Sequence, residues 1–278
     1  MDKPDLYRDE TFLKQQYQTQ DLLAIRVRTH QLYEAQPVDF PAWVLDHLSW
    51  RGDEQVLDVG CGSGVYVNPA RTRTPHYIAG DLSLGMLQAL AAPQPPRLNL
   101  DAQRLPLATA SVDVLLANHM LYHVPDLAAA VAEFVRVLRP GGYLLAATNS
   151  AHTMAELDDL SVELVRRLWP ADEQTPLERL LRRAHLPFHL ENGQAWLAPY
   201  FASVLRYDLP GVLVFPEPQP VIDYVATVAE RFVPVFPAGG TWEQAVAILD
   251  DILTAHIAAH GAFRVHKLAG LFVCRTHG

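Results

Sequence analysis

Cysteine is scarce in this 278-residue chain, which has two, Cys61 and Cys274. With no CxxC pair and no Cys/His cluster at metal-ligand spacing, neither a disulfide framework nor a structural zinc is expected, and no metal is assigned. Lysine is scarce too: three of the 22 basic residues, Lys3, Lys14 and Lys267. Against 31 acidic residues they leave a formal charge of -9. That balance supplies no basic face to displace counterions from a phosphate backbone, so nucleic acid is not expected as a partner. No stretch approaches the roughly 20 apolar residues of a membrane span. The polar start "MDKPDLYRDETFLKQQYQTQ" has no apolar signal core, so the expected location is the cytoplasm, with no membrane partner. Internal repeats and low-complexity tracts are also lacking.

Half of the residues are hydrophobic and 19% are charged, enough for one substantial core in an elaborated single domain. Residues 9–33 carry few helix breakers and residues 40–48 place apolar side chains at helical spacing, so the first fifty residues read as two or three helices. Short apolar runs bounded by turn residues follow: "QVLDV" at 55–59, "HYIAG" at 76–80, "RLNL" at 97–100, "VDVLLA" at 112–117 and "YLLAATN" at 143–149. Helical segments separate most of them, the pattern of a parallel sheet covered on both faces. The best-marked helix runs over 127–138, with Asp126 as N-cap, an apolar stripe of Leu127, Val131, Phe134, Val135 and Leu138, and a stop at Pro140-Gly141-Gly142. Beyond residue 149 the spacing predicts helices over 154–169, 176–185, 218–232 and 241–259, with strands "SVLRYDL" from Ser203 and "FRVHKLAGLFVC" from Phe263. The last strand is expected to run antiparallel to the others.

The stretch "VLDVGCGSG" runs a strand straight into Gly60, Gly62 and Gly64. This is the carboxyl end of the first strand, where doubly wound sheets bind ligands, and glycine lets backbone approach a ligand closely. The alternative is a plain strand-to-helix turn. A dinucleotide site wants G-x-G-x-x-G, and Val65 stands where its third glycine belongs. A P-loop is excluded because no G-K-[ST] follows. Asp81 ends the second strand, 17 residues past Gly64, where a carboxylate can accept from both hydroxyls of an adenosine ribose. Capping the next helix falls more naturally to Ser83. Asp101 follows the third strand, placed to accept from an adenine amino group or to be a plain surface acid, and Asn118 follows the fourth.

In order, "VLDVGCGSG", "GDLSLGML", "LDAQRLPLATASVDVLLANHMLYHVPD" and "LRPGG" resemble the successive motifs of class I S-adenosylmethionine (SAM)-dependent methyltransferases, in the small-molecule branch shared with quinone-biosynthesis methyltransferases. The resemblance is strong over residues 54–149 and looser outside. It implies a Rossmann-like α/β fold: a seven-stranded, mostly parallel sheet with an antiparallel last strand, an N-terminal helical cap over 1–50, a SAM-binding core over 51–150, a helical lid over 151–200, and the end of the sheet over 201–278 with a helical insertion at 210–260. The cofactor it implies is SAM, with S-adenosylhomocysteine as product. Residue by residue, Gly60, Cys61 and Gly62 would border the methionine moiety and Asp58 would brace their loop. Asp81 would hold the ribose, Asp101 and the Ala102 amide would read the adenine, Leu82 and Met86 would pack on its face, and Asn118 would lie beside the methionine portion. Cys61 is a small residue in a crowded turn and not a nucleophile, since no His partner follows.

Methyl transfer from a sulfonium is an in-line displacement that needs alignment and a dry pocket, with a base only where the acceptor must lose a proton. For that base, "NHMLYHV" offers His119, Tyr122 and His123. A structural role for His123 is the other reading. Tyr17, Trp196, Tyr200, Tyr224 and Phe232 are candidate walls for an apolar acceptor or ordinary core residues, and Tyr17 stands with the catalytic candidates. Arg26 and His30, four apart on a helix, would either meet an acidic substrate or form a solvated face. The partner is a small-molecule acceptor, with oxygen or carbon as the favoured target atom. A SAM enzyme of non-methylating chemistry and a noncatalytic SAM-binding partner are the alternatives.

Overall fold

A computed structural model describes residues 20–169, 187–227 and 240–278. The helix predicted over 176–185, together with Tyr17 and Phe232, lies outside the described residues. Two helices open the described chain, α1 (Gln20–Tyr33) and α2 (Phe40–Leu45). The alternating part follows: β1 (Val56–Val59), α3 (Val67–Arg71), β2 (Tyr77–Asp81), α4 (Leu84–Ala89), β3 (Arg97–Asn99), β4 (Val112–Leu116), α5 (Leu127–Val137) and β5 (Leu138–Asn149). Then come α6 (Ala155–Leu168), α7 (Gly193–Leu197), β6 (Ser203–Phe215), α8 (Gln219–Ala226), α9 (Trp242–His260) and β7 (Phe263–Arg275).

The seven strands form one sheet in the order β3-β2-β1-β4-β5-β7-β6. β1 pairs in parallel with β2 and with β4, β2 with β3, and β4 with β5. β7 pairs antiparallel with β5, from Tyr143 opposite Arg275 to Asn149 opposite Ala269. The expected antiparallel last strand is present. Because β1 to β4 share one direction, the residues at and just beyond their carboxyl ends, including Gly60, Asp81, Asp101 and Asn118, leave the sheet on the same side.

The chain forms two compact units. The core unit comprises Val38–Ala151, Pro187–Leu209 and Ala269–Gly278, and the helical unit comprises Met1–Pro37, His152–Leu186 and Pro210–Leu268. Within the core unit, Leu57, Leu115, Phe134, Leu144, Phe188 and Phe272 are fully buried, each stabilising the fold by about 1.5–3 kcal/mol. The helical unit has its own cluster, in which Leu160 and Leu164 of α6, Val221 and Ile222 of α8, and Ala245, Leu249 and Leu253 of α9 pack with Phe215 and Val265. Among the described residues, no helix is long and apolar enough to cross a membrane.

Local chemistry accounts for most element ends. Asp126 caps α5 by accepting from the Ala129 N–H at 3.0 Å, and the buried stripe is Leu127, Ala130, Val131, Phe134 and Val137. Val135 is only half-buried. α9 has a full capping box between Thr241 and Gln244, and Gly261 ends it at φ +80°. Two strands differ from expectation. β5 starts at Leu138 rather than Tyr143, because Leu138 pairs with Val112 across a register shift and the Arg139 guanidinium pairs with Asp113. β6 runs on through Pro210 and Gly211 to Phe215, where Ala35 donates its N–H to the Val212 carbonyl at 2.9 Å and Glu34 bridges Leu213. The expected helical insertion at 210–260 therefore begins with strand.

Candidate functional site

The glycine turn after β1 is built from backbone. Gly60, Gly62 and Gly64 have φ of +72°, +52° and +78°, a region that costs other residues about 1–2 kcal/mol. The N–H groups of Gly60 and Cys61 both donate to the Gly80 carbonyl, at 2.8 and 3.0 Å. A side chain at Gly60 would meet Met120 Cβ at 2.8 Å, and one at Gly64 would meet Leu90 Cδ2 at 2.5 Å. At Gly62 no atom lies within 4 Å of that position, so this side of the turn is open. Val65 is exposed and the helix beyond, α3, has five residues. Its short dipole and missing third glycine argue against a pyrophosphate there.

Asp81 joins this turn to the end of β2. Its Oδ2 accepts from the Gly62 N–H at 2.9 Å and its Oδ1 from the Ser83 N–H at 2.8 Å. Ser83, as expected, is the cap of α4, accepting from the Met86 N–H at 3.3 Å. Leu82 is 64% exposed beside the acid and Met86 is half-buried. Asp101 accepts from the Gln103 N–H and Nε2 at 2.9 and 3.1 Å. The Oε1 of Gln103 in turn accepts from the Asp126 N–H at 3.1 Å. Ala102 is buried. The Glu133–Arg136 pair braces the following loop, with Glu133 accepting from the Leu105 N–H and Arg136 donating to the Leu105 and Leu107 carbonyls.

Asp58 lies 1% exposed in β1 and accepts from the Tyr77 hydroxyl at 2.5 Å. Burial pushes its carboxyl up to about 7, with the Tyr77 bond opposing and the Asp81 charge adding. Burial also pushes the Cys61 thiol well up, which leaves it unreactive. Asn118 accepts through Oδ1 from the Ala147 N–H at 3.0 Å. Its Nδ2 and the hydroxyl of Tyr66 are buried with no hydrogen-bond partner among the described residues, an arrangement that calls for a ligand or an equivalent partner.

His119 has a φ of +54°, donates its N–H to the Ala147 carbonyl at 2.8 Å, and packs its ring 5.3 Å from Phe40. Burial pushes its imidazole down to about 4, so it is neutral near pH 7. Tyr122 and His123 lie on a 3-10 turn over Leu121–His123, with ring centroids 4.5 Å apart. Trp196, which is 36% exposed, and half-buried Tyr200 belong to the core unit, whereas Tyr224 packs in the helical unit. Sequence reasoning missed four supports: Tyr77, Gly80, Asn99 and Met120. Asn99 Nδ2 clamps the Asp81 and Leu82 carbonyls at 3.0 and 2.9 Å. Gly80 had a visible signal, a side-chain-free position next to Asp81; a Cβ there would lie 2.5 Å from Leu100 Cδ2.

Residues 57–146 match the family described as methyltransferase domain. The chain is 38% identical over 108 residues to malonyl-[acyl-carrier protein] O-methyltransferase from Serratia marcescens, covering 38% of this chain and 42% of that protein. It is 34% identical over 117 residues to demethylmenaquinone methyltransferase from Mycolicibacterium paratuberculosis, covering 42% and 51%. The match thus spans about half the length of these relatives or less. Among solved structures, Haemonchus contortus phosphoethanolamine N-methyltransferase 2 in complex with S-adenosyl-L-methionine aligns with a TM-score of 0.58 at 15% identity, over 98% of this chain and 60% of that one. That likeness shows the Rossmann-like α/β fold.

Proposed function

We propose that this chain is a SAM-dependent methyltransferase that transfers a methyl group to a small organic acceptor, free or tethered to a carrier, with oxygen or carbon as the favoured atom. The observation that carries the reading is Asp81, whose carboxylate joins the open Gly62 turn to the end of β2. The residues suit a cationic donor bearing an adenosine: Asp58, Asp81 and Asp101 are acidic, and two buried polar groups, Asn118 Nδ2 and the Tyr66 hydroxyl, have no partner among the described residues. The two named relatives methylate, by their names, a carrier-bound malonyl group and a quinone. A cytoplasmic location is part of the same proposal; both cysteines are buried free thiols.

When bound, SAM supplies an activated methyl group on sulfur. Asp81 accepts from the ribose hydroxyls, Asp101 and the Ala102 amide read the adenine, and Leu82 and Met86 cover its face. Gly60, Cys61, Gly62 and Asn118 hold the methionine end, and Asp58, fixed by Tyr77, braces the turn. The chain's task is orientation and exclusion of water. His119, held near 4, is too weak a base for a phenol or enol, so His123 is the proton acceptor where the acceptor needs one.

Calorimetry with SAM and S-adenosylhomocysteine tests the donor; absence of binding to either sinks the proposal. Product mass then separates transfer, a gain of one CH₂ unit, from SAM-dependent chemistry without methylation, and inactivity towards every acceptor leaves a SAM-binding partner protein. His123→Ala is expected to slow turnover with SAM affinity unchanged; unaltered turnover makes His123 structural.

A further inference from the structure

The helical unit contains a charge that nothing in the donor site explains. α1 sets Arg26 and His30 four residues apart along one face, and Glu34, just past its last residue, donates its N–H to the His30 carbonyl at 3.2 Å. Glu34 is only 8% exposed at its side chain and is fully engaged: it pairs with Lys267 of β7 and its Oε1 accepts from the Val212 N–H at 3.2 Å. Gly211 makes room for that pair, since a Cβ there would lie 2.6 Å from Lys267 Cε and 2.8 Å from Glu34 Oε1. Lys267 Nζ also donates to His30 Nδ1 at 3.3 Å, which leaves the imidazole proton on Nε2. The His30 ring meets the Tyr224 ring edge-on at 6.0 Å, and the Tyr224 hydroxyl donates to Met154 Sδ at 3.6 Å.

Lys267 is therefore balanced by Glu34, and Arg26 is not balanced. Its Nε is buried with no hydrogen-bond partner, and no ion pair to it is found among the described residues. An unpaired donor of a charged group inside a protein costs on the order of 1–3 kcal/mol or more, and in a chain with nine more acids than bases a carboxylate was easily available to pair with it.

We propose that Arg26 is the anion-binding residue of a site in the helical unit for the carboxylate of a small organic acid. A guanidinium presents its Nε and a terminal nitrogen as a parallel fork that fits a carboxylate bidentately. The Tyr224 ring, set against His30 within the apolar cluster of α6, α8 and α9, suits an aromatic or aliphatic body behind it. The carboxylate belongs to the methyl acceptor or to a separate effector; only the acceptor alternative rests on the proposed methyl transfer.

The test is a ligand-observed NMR titration of the full chain with benzoate, butyrate and inorganic phosphate at constant ionic strength. Saturable binding of the two carboxylates is expected, weakened about tenfold or more by Arg26→Gln, with SAM affinity unchanged and Tm equal to or above that of the parent. Arg26→Lys, which keeps the charge and loses the fork, is expected to give an intermediate loss and serves if the Gln variant folds poorly. Carboxylate binding that survives both substitutions, or no saturable binding at all, overturns the site, as does phosphate binding as tight as carboxylate. Incubation with SAM then assigns the source: a gain of one CH₂ unit on the acid identifies an acceptor, and an unchanged acid that binds identifies an effector. A chain that binds carboxylate but no SAM removes the methyltransferase reading and leaves this site standing.

Discussion

The candidate site in the core unit and the helical unit reach different distances along the chain for their polar partners. Around β1 and β4 of the core unit the long contacts stay within tens of residues, Gly62 with Asp81 across 19, Asn118 with Ala147 across 29 and Gln55 with Asp113 across 58, and many partners are neighbours in sequence: Asp81 with Ser83, Ser83 with Met86, Asp101 with Gln103, Asp126 with Ala129. In each of these local pairs a short polar side chain closes on a backbone N–H group of its own turn. In the helical unit, beside local pairs such as Arg167 with Glu163 and Thr241 with Gln244, the long contacts reach much farther: Arg167 with Asp251 across 84 residues, Glu156 with His266 across 110, Glu34 with Val212 across 178, His30 with Lys267 across 237. The turns of the core site are shaped largely by short-range contacts and by adjoining strands, whereas the longest contacts of the helical unit join segments from opposite ends of the chain.

The sharpest test of the contrast is Asp81→Ala. It removes two charge-bearing acceptors whose own geometry is set locally, so donor affinity is expected to fall on the order of 100-fold, at about 1.5–3 kcal/mol per charged hydrogen bond. Thermal stability is expected to move far less. Calorimetry beside a melting curve checks this, and a large drop in Tm with intact affinity would make Asp81 structural. Gly60→Ala attacks the same turn through its backbone. Strain at φ +72° and the 2.8 Å approach to Met120 Cβ predict a loss of about 2–4 kcal/mol in unfolding free energy. Gly62→Ala, with open space at its Cβ, is expected to lose only the strain.

That difference also explains what could be read in advance. The glycine turn, Asp81, the Ser83 and Asp126 caps and the parallel character of β1 to β5 were legible because each leaves its signal in a short run of residues: spaced glycines, a capping side chain, or apolar runs alternating with helices. Tyr77 as the partner of Asp58, the start of β5 at Leu138 and the extension of β6 past Pro210 and Gly211 were not. Each depends on a strand or side chain brought up from elsewhere, and a Pro-Gly pair read by itself is a stop signal. The Arg26–His30 spacing was visible as a helix face, but its meaning waited for Lys267, 237 residues after His30.

The core contains two titratable groups with displaced proton affinities that pull stability in opposite directions with pH. Asp58 has a carboxyl raised to about 7 in the folded chain against about 4 unfolded. The folded state therefore binds the extra proton between those values, and this contribution to stability is full below pH 4 and lost as pH rises to 7. His119 is lowered to about 4 from about 6.5, so its contribution is full above 6.5 and lost as pH falls to 4. Asp58→Asn keeps an acceptor for the Tyr77 hydroxyl and removes the titration. It is expected to be about as stable as the parent at pH 4 and more stable at pH 8 by a few kcal/mol, since each tenfold difference in proton affinity between the folded and unfolded chain is worth about 1.4 kcal/mol. His119→Gln is expected to show its advantage only on the acid side. Denaturant unfolding from pH 4 to 8 measures both slopes, and identical profiles for parent and Asp58→Asn would reject the buried-acid assignment.

The smallest effects separate the two styles of anchoring most cleanly. Ser83→Ala removes a local cap and is expected to cost about 1 kcal/mol, with little response to salt, because the lost bond is a short neutral contact on backbone. Arg167 in the helical unit pairs with Glu163 one turn away and with Asp251 on α9, and its side chain is 42% exposed while that of Asp251 is 77% exposed. Water and ions screen such pairs, and ordering two long side chains opposes what attraction remains. Arg167→Ala is therefore expected to leave Tm within measurement error in roughly 0.5 M salt and only marginally below the parent at low salt. A salt-independent loss as large as that of Ser83→Ala would show that the 84-residue pair anchors α6 as firmly as a cap anchors α4, and the contrast between the units would then be one of distance alone.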